Sequence, residues 1–241
     1  ILIASVVITG MAGFWSIDPV YFAERFRDFL VVISIIYFIY LLLFAGLTAN
    51  EKKNVLMLLL LFIGAAAFWS GFDQSAGSLT IFTRDYVNLT FGSFTAPVSW
   101  TQFVNPLFVV MFAPFFAYLW VFLGKRNLDP NMPIKFGLGL ILMALGFIVM
   151  ILAVKYALAS SPVGVQWLLL TYLLHTFGEL TLSPVGLSAF SKYSPKRYLG
   201  QMMGIWFLAS SLGGVLAGLL GGEATESGLE SMSPVFTELV Y

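Results

Sequence analysis

The 241-residue sequence has no cysteine, a single histidine, and charge on only 10% of its residues. Without cysteine there are no disulfides and no thiolate chemistry, and one histidine cannot build the usual zinc ligand sets. The scarcity of charge excludes a water-soluble globular domain, which carries about 25% charged residues. It excludes a disordered chain as well, because disorder needs low hydrophobicity and high net charge. Twelve basic and twelve acidic residues sum to a formal charge of zero, so there is no basic footprint for nucleic acid. The sequence also lacks a glycine-rich phosphate loop, a metal-spaced cluster and a nucleophile constellation, so an enzyme has no positive support.

What is abundant is apolar. Hydrophobic residues make up 59% of the chain and aromatics 17%, with a mean hydropathy of +0.93. A helix needs about 20 mostly apolar residues to cross a hydrocarbon core of about 30 Å. Seven stretches meet or approach that length: residues 1–15, 29–48, 55–82, 100–123, 134–158, 166–190 and 198–222. The first is short and reads as a truncated span, and residues 235–241 after Pro234 read as the start of an eighth. Both ends therefore read as cut, as in a fragment. Runs such as residues 55–62 do not alternate in polarity, which excludes the strands of a membrane barrel. The expected fold is all-α and polytopic.

Positive charge marks the cytoplasmic side of a membrane protein. Basic clusters fall at Lys52/Lys53, at Lys125/Arg126 with Lys135, and at Lys192/Lys196/Arg197. Seven alternating spans put all three on one face. The mixed-charge connectors 22–28 and 83–99, the stretch 157–164 and the acidic connector 223–230 fall outside.

Ionisable groups at membrane depth are costly and mark functional sites. Asp73 and Glu179 are the two that lie well inside spans. Glu179 is 13 residues beyond the start of the sixth stretch, about 20 Å down at about 1.5 Å per residue. Tyr172, Thr176, Glu179 and Ser183 share one helical stripe, with His175 one position off it. A carboxylate there either hydrogen-bonds a neighbouring helix or faces a cavity and holds a cation, an amine or a proton. Pro184 is expected to kink or open the helix beside it. Asp73 falls near the outer end of the third span, where it either latches to a cation or meets interfacial water. Gln102 and Asn105 share a face of the fourth span, free to bond a substrate or another helix. In the seventh, Ser210, Gly214, Gly218 and Gly222 form a small-residue ridge suited to close helix packing. Trp206, one turn before Ser210, is either a pocket wall or a packing residue.

Several of these residues sit in recognisable motifs. The block Thr176-Phe-Gly-Glu-Leu-Thr-Leu-Ser-Pro-Val-Gly-Leu-Ser188, then Ser194-Pro-Lys-Arg197 and Gln201-Met-Met-Gly-Ile-Trp-Phe-Leu-Ala209, resembles the proton-coupled oligopeptide transporter (POT/PTR) family of the major facilitator superfamily. Phe68-Trp69, Phe72-Asp73-Gln74, Gly77-Ser78, Asn105-Pro-Leu-Phe and Ala113-Pro114 match its seventh and eighth helices. The resemblance implies the C-terminal six-helix bundle of a bacterial-type member over residues 51–241, its last helix truncated. Residues 1–50 would be the two extra helices that bacterial members carry between their halves.

By the same resemblance, Glu179 receives the α-amino group of a bound di- or tripeptide and Asn105 assists. Trp206 and Ser210 line side-chain pockets, and Asp73 closes the outer gate with an arginine of the other half. Protons are the coupling ion and no other cofactor is implied. The implied partners are the peptide, the bilayer and the missing N-terminal bundle, and the implied location is the inner (plasma) membrane. Glu24-Arg25-Phe26 is not counted as the family's proton-coupling motif, because Tyr21 stands where its first glutamate belongs. Two rival functions are a carrier of nitrate or amino acids from the same family and a non-transporting scaffold or receptor.

Overall fold

The computed structural model describes residues 18–226 and 228–240, and of residues 223–226 only the backbone. The expected first span, 1–15, lies outside these residues. Asp18 caps the first described helix: its carboxylate accepts from the backbone N–H groups of Val20 and Tyr21, and Pro19 takes the first turn. Helix α1 (Pro19–Ile39) therefore starts ahead of the span expected at residue 29. The mixed-charge stretch 22–28, expected as a connector, forms its early turns. The cap signal in Asp18-Pro19, not the onset of apolar residues, sets this boundary. The helix continues as a π-helical turn, Tyr40–Phe44, and ends at Gly46, whose φ of +59° favours glycine.

Thr48 and Glu51 form a reciprocal capping box that opens α2 (Ala49–Phe72). The third stretch was expected over residues 55–82. It passes through a 3₁₀ turn at Asp73–Ser75 and resumes as α3 (Ser78–Tyr86). The outer connector holds β1 (Val87–Asn88), β2 (Thr90–Phe91) and β3 (Phe94–Thr95). A 3₁₀ segment, Val98–Phe103, then leads into α4 (Val104–Lys125), followed by α5 (Met132–Ala159) and β4 (Val163–Gly164). Helices α6 (Gln166–Tyr193), α7 (Leu199–Glu226) and α8 (Leu229–Glu238) complete the order. Helix α8 begins ahead of Pro234 and buries Met232, Val235 and Phe236, with the Phe236 ring 5.8 Å from that of Phe147 on α5.

The alternating topology shows in the contacts between connectors. Arg197, after α6, donates to the Ala45 carbonyl after α1, and the Tyr40 and Tyr198 hydroxyls lie 3.4 Å apart. Two basic connectors thus meet at one end of the bundle. At the other end β1 pairs in parallel with β4, joining the connectors before α4 and before α6.

Five described stretches are long and apolar enough to cross a membrane: Pro19–Phe44, Ala49–Tyr86, Val98–Lys125, Met132–Ala159 and Lys196–Gly222. Helix α6, 28 residues long, is not among them. Its polar residues, among them Thr171, His175, Thr176, Glu179, Thr181 and Ser183, lower its mean hydropathy. Its polar side meets protein instead: α2, α4, α5 and α7 all pack on it. A helix packed in this way can carry polar groups that a lipid-facing one cannot.

Helix pairs in lipid gain little from the hydrophobic effect and rely on close packing and hydrogen bonds. Between α5 and α6 the backbones nearly touch, since a Cβ at Gly178 would lie 2.9 Å from the Gly139 carbonyl oxygen. Between α2 and α7 the contact row is not the ridge expected at 210, 214, 218 and 222. Gly213 meets α2, where a Cβ would lie 2.8 Å from the Ala66 oxygen and 2.9 Å from the Ser70 nitrogen. Gly214 instead faces Asp73, and a Cβ at Gly218 would meet nothing within 4 Å. Composition marks α7 as a close-packing helix, but which of two adjacent small rows does the packing depends on how the helix is rotated. Gly213→Ala is expected to destabilise the protein by about 1–3 kcal/mol through overpacking. Gly218→Ala should be neutral. Thermal unfolding in detergent measures both.

Candidate functional site

Helix α6 turns Thr176 and Glu179, three residues apart, toward α4. Phe112 and Phe116 hold α4 in place, with ring centroids 5.0 and 5.3 Å from that of Phe177 on α6. This contact brings Asn105 over the carboxylate. Its Nδ2 donates to Glu179 Oε2 and to Thr176 Oγ1, both at 3.0 Å. Thr176 in turn donates to the Tyr172 carbonyl at 2.7 Å. Both amide hydrogens of Asn105 are used, whereas Glu179 Oε1 has no partner among the described residues. Glu179 is half-buried, which leaves that oxygen free to accept from a cation or an amine. Glu179 and Asn105, named separately from the sequence, form one unit.

The other sequence-named residues meet in a cavity of about 560 Å³ between α2, α6 and α7. Asp73, Trp206 and Ser210 line it, together with Trp69, Ser183 and Ser211. Asp73, at the C-terminal end of α2, projects its carboxylate toward Gly214; a Cβ there would stand 3.1 Å from Oδ2. It has no ion-pair or hydrogen-bond partner among the described residues. Arg84, the nearest cation along the chain, is paired with Asp85 at 2.7 Å. Trp206 is both wall and packing residue, buried against Gly186 with its ring 5.4 Å from Phe190. Ser210 donates to the Phe207 carbonyl at 2.8 Å and retains acceptor capacity toward the cavity.

The polar stripe on α6 divides between the two clusters. Thr176 and Glu179 face Asn105, while Ser183, about one turn further along, faces the Asp73 cavity. The two sites therefore adjoin along a single helix. Sequence reasoning did not single out Trp69 or Ser211. Trp69 precedes Asp73 by four residues, a helical spacing that carried the signal, and its indole Nε1 is buried without an acceptor. His175 turns away into the α5 interface, against Gly146 and the Phe147 ring, and takes no part in either cluster. Helix α6 runs through Pro184 without leaving the helical conformation. A 3₁₀ turn falls at Asp73, where no proline marks it. Among the described residues no group of acidic or histidine side chains is arranged to hold a metal.

The model of the POT family matches residues 15–229. The chain belongs to the POT family. Among the curated relatives of this POT-family chain, a peptide transporter of Yersinia enterocolitica is 38% identical over 93% of the chain and 44% of its own length. A di-/tripeptide transporter of Lactococcus lactis is 34% identical over 88% of the chain and 44% of its own. A crystal structure of a mutant of peptide transporter POT in complex with alafosfalin superposes with a TM-score of 0.84 at 31% identity, covering 99% of this chain and 48% of that one. The chain thus spans about half the length of the relatives it matches. With its membrane-length helices, family membership makes it a multi-pass protein of the cell inner membrane, of a transporter family.

The Asn105–Glu179 bond can be isolated by a double-mutant cycle. Asn105→Leu and Glu179→Leu, each of which removes one partner of the bond, measured singly and together by thermal unfolding, should show a coupling of about 1 kcal/mol.

Proposed function

We propose that this chain is the C-terminal half of a proton-coupled symporter that imports di- and tripeptides by alternating access. The observation that carries the reading is the half-buried Glu179 carboxylate, held on one oxygen by Asn105 and unpartnered on the other. A peptide's α-ammonium group brings three N–H donors and a positive charge to that free oxygen, which makes the cost of burying the carboxylate recoverable. An anion such as nitrate would be repelled there. Relatives named as peptide and di-/tripeptide transporters support the substrate class.

Asn105 aims the carboxylate, and Trp206 and Ser210 offer an aromatic wall and a polar group to a peptide side chain. Asp73 serves as the outer latch, awaiting a cation from the other half. Residues 51–241 form the C-terminal bundle, and residues 1–50 the extra helical pair beside it. The N-terminal bundle is the obligate partner: it supplies the group that meets the peptide carboxylate and the residues that couple protons, the coupling ion. No other cofactor enters this scheme.

In the full-length transporter, Glu179→Gln should keep the fold but lower proton-driven dipeptide uptake into proteoliposomes about 30-fold or more, the equivalent of at least ~2 kcal/mol for a lost charge partner. Uptake at the wild-type rate would overturn the assignment. Asp73→Asn should loosen the outer gate and speed thiol labelling of a cysteine placed in the outward-facing cleft. An unchanged labelling rate would remove Asp73 from the gate.

A further inference from the structure

Between the turn that carries Asp73 and the start of α4 lies a side chain to which the proposed function gives no role. Gln102, in the 3₁₀ segment before α4, donates through Nε2 to the Ser75 carbonyl and to Thr80 Oγ1, both at 2.7 Å. Ser75 belongs to the 3₁₀ turn that interrupts the third span at Asp73. A helix that breaks frees carbonyls, and a freed carbonyl at membrane depth needs donors from elsewhere. Thr80 provides one for Ser75, at 2.6 Å, and Gln102 provides another.

The opposite side of the turn is tied down as well. Fully buried Gln74 donates to the Ala217 carbonyl of α7 at 3.0 Å and accepts from the Ser78 hydroxyl at 2.7 Å. The turn carrying Asp73 is therefore gripped between α7 and the approach to α4. Three residues beyond Gln102, Asn105 grips Glu179. The short stretch 102–105 thus touches both the Asp73 turn and the Glu179 pair.

We infer that Gln102 is a positioning residue: it clamps the Asp73 turn to the helix that carries Asn105, so that the outer latch and the Glu179 site shift as one body. Both hydrogens of its amide are spent inside the protein, which leaves it no donor for a ligand. The inference rests on Asp73 acting as the outer latch, and its test separates the two.

The test uses the full-length transporter, otherwise free of cysteine, with Ser211→Cys as a reporter in the Asp73 cavity and a membrane-impermeant maleimide added from outside. Gln102→Leu should speed labelling about fivefold, the scale of one lost hydrogen bond. Gln102→Glu, of the same shape but without the donors, should do the same and guards against a packing defect in the first variant. Dipeptide affinity, read by calorimetry, should stay within about twofold, because the residue acts through Asp73. In an Asp73→Asn background neither Gln102 substitution should add to the labelling rate.

Unchanged labelling in both variants, or an equal rise with Asp73 already replaced, would overturn the clamp. A tenfold loss of dipeptide affinity at unchanged labelling would also overturn it and make Gln102 a ligand contact. A flat response to Asp73→Asn alone would sink the latch reading and the clamp with it. A wild-type protein that binds no dipeptide would sink the transport reading while the labelling still decides the clamp.

Discussion

A carboxylate in the middle of a bilayer is tolerable only where protein, water or a charged guest replaces the water it gave up. Much of this structure answers that constraint. Helix α6 carries Glu179 and is the least apolar of the long helices, so it takes the central place, with four helices packed on it. Helix α4 packs on it through a phenylalanine cluster and delivers Asn105 to one carboxylate oxygen. The other oxygen has no partner among the described residues, and a half-buried acid with a free oxygen has a use for a cation.

Around that pair the bundle is built by backbone proximity rather than by bulk. Lipid tails are as apolar as leucine, so helices in a membrane gain by approaching closely and by satisfying polar groups between them. Gly139 against Gly178 and Gly213 against α2 supply the first kind of contact. Gln74 and Gln102 supply the second, around the 3₁₀ turn where the Ala49–Tyr86 stretch departs from its α-helical ladder. The turn at Asp73 is thus a held feature: Gln102 donates to its Ser75 carbonyl, and Gln74 ties it to the Ala217 carbonyl of α7.

The two clusters share a frame. Ser183, about one turn beyond Glu179 on α6, lines the Asp73 cavity, and the stretch 102–105, where the 3₁₀ segment runs into α4, holds the Ser75 carbonyl through Gln102 and Glu179 through Asn105. The turn that carries Asp73 and the Glu179 pair are therefore tied to one short stretch of chain, a shared attachment through which a shift at one can reach the other.

Much of this was legible in the residues alone. Composition demanded a membrane protein, and the isolated acids and amides at depth named Glu179, Asn105 and Asp73, because a charge in hydrocarbon has few explanations. The tertiary structure decided what one-dimensional spacing cannot: which partner each group takes and which way each helix is turned. It paired Asn105 with Glu179 and Gln102 with the Ser75 carbonyl, though both amides lie on one face. It put a 3₁₀ turn at Asp73, which no proline marks, and set Gly213 rather than Gly214 against α2. A helix's periodicity shows which residues share a face, but only its neighbours determine what that face meets.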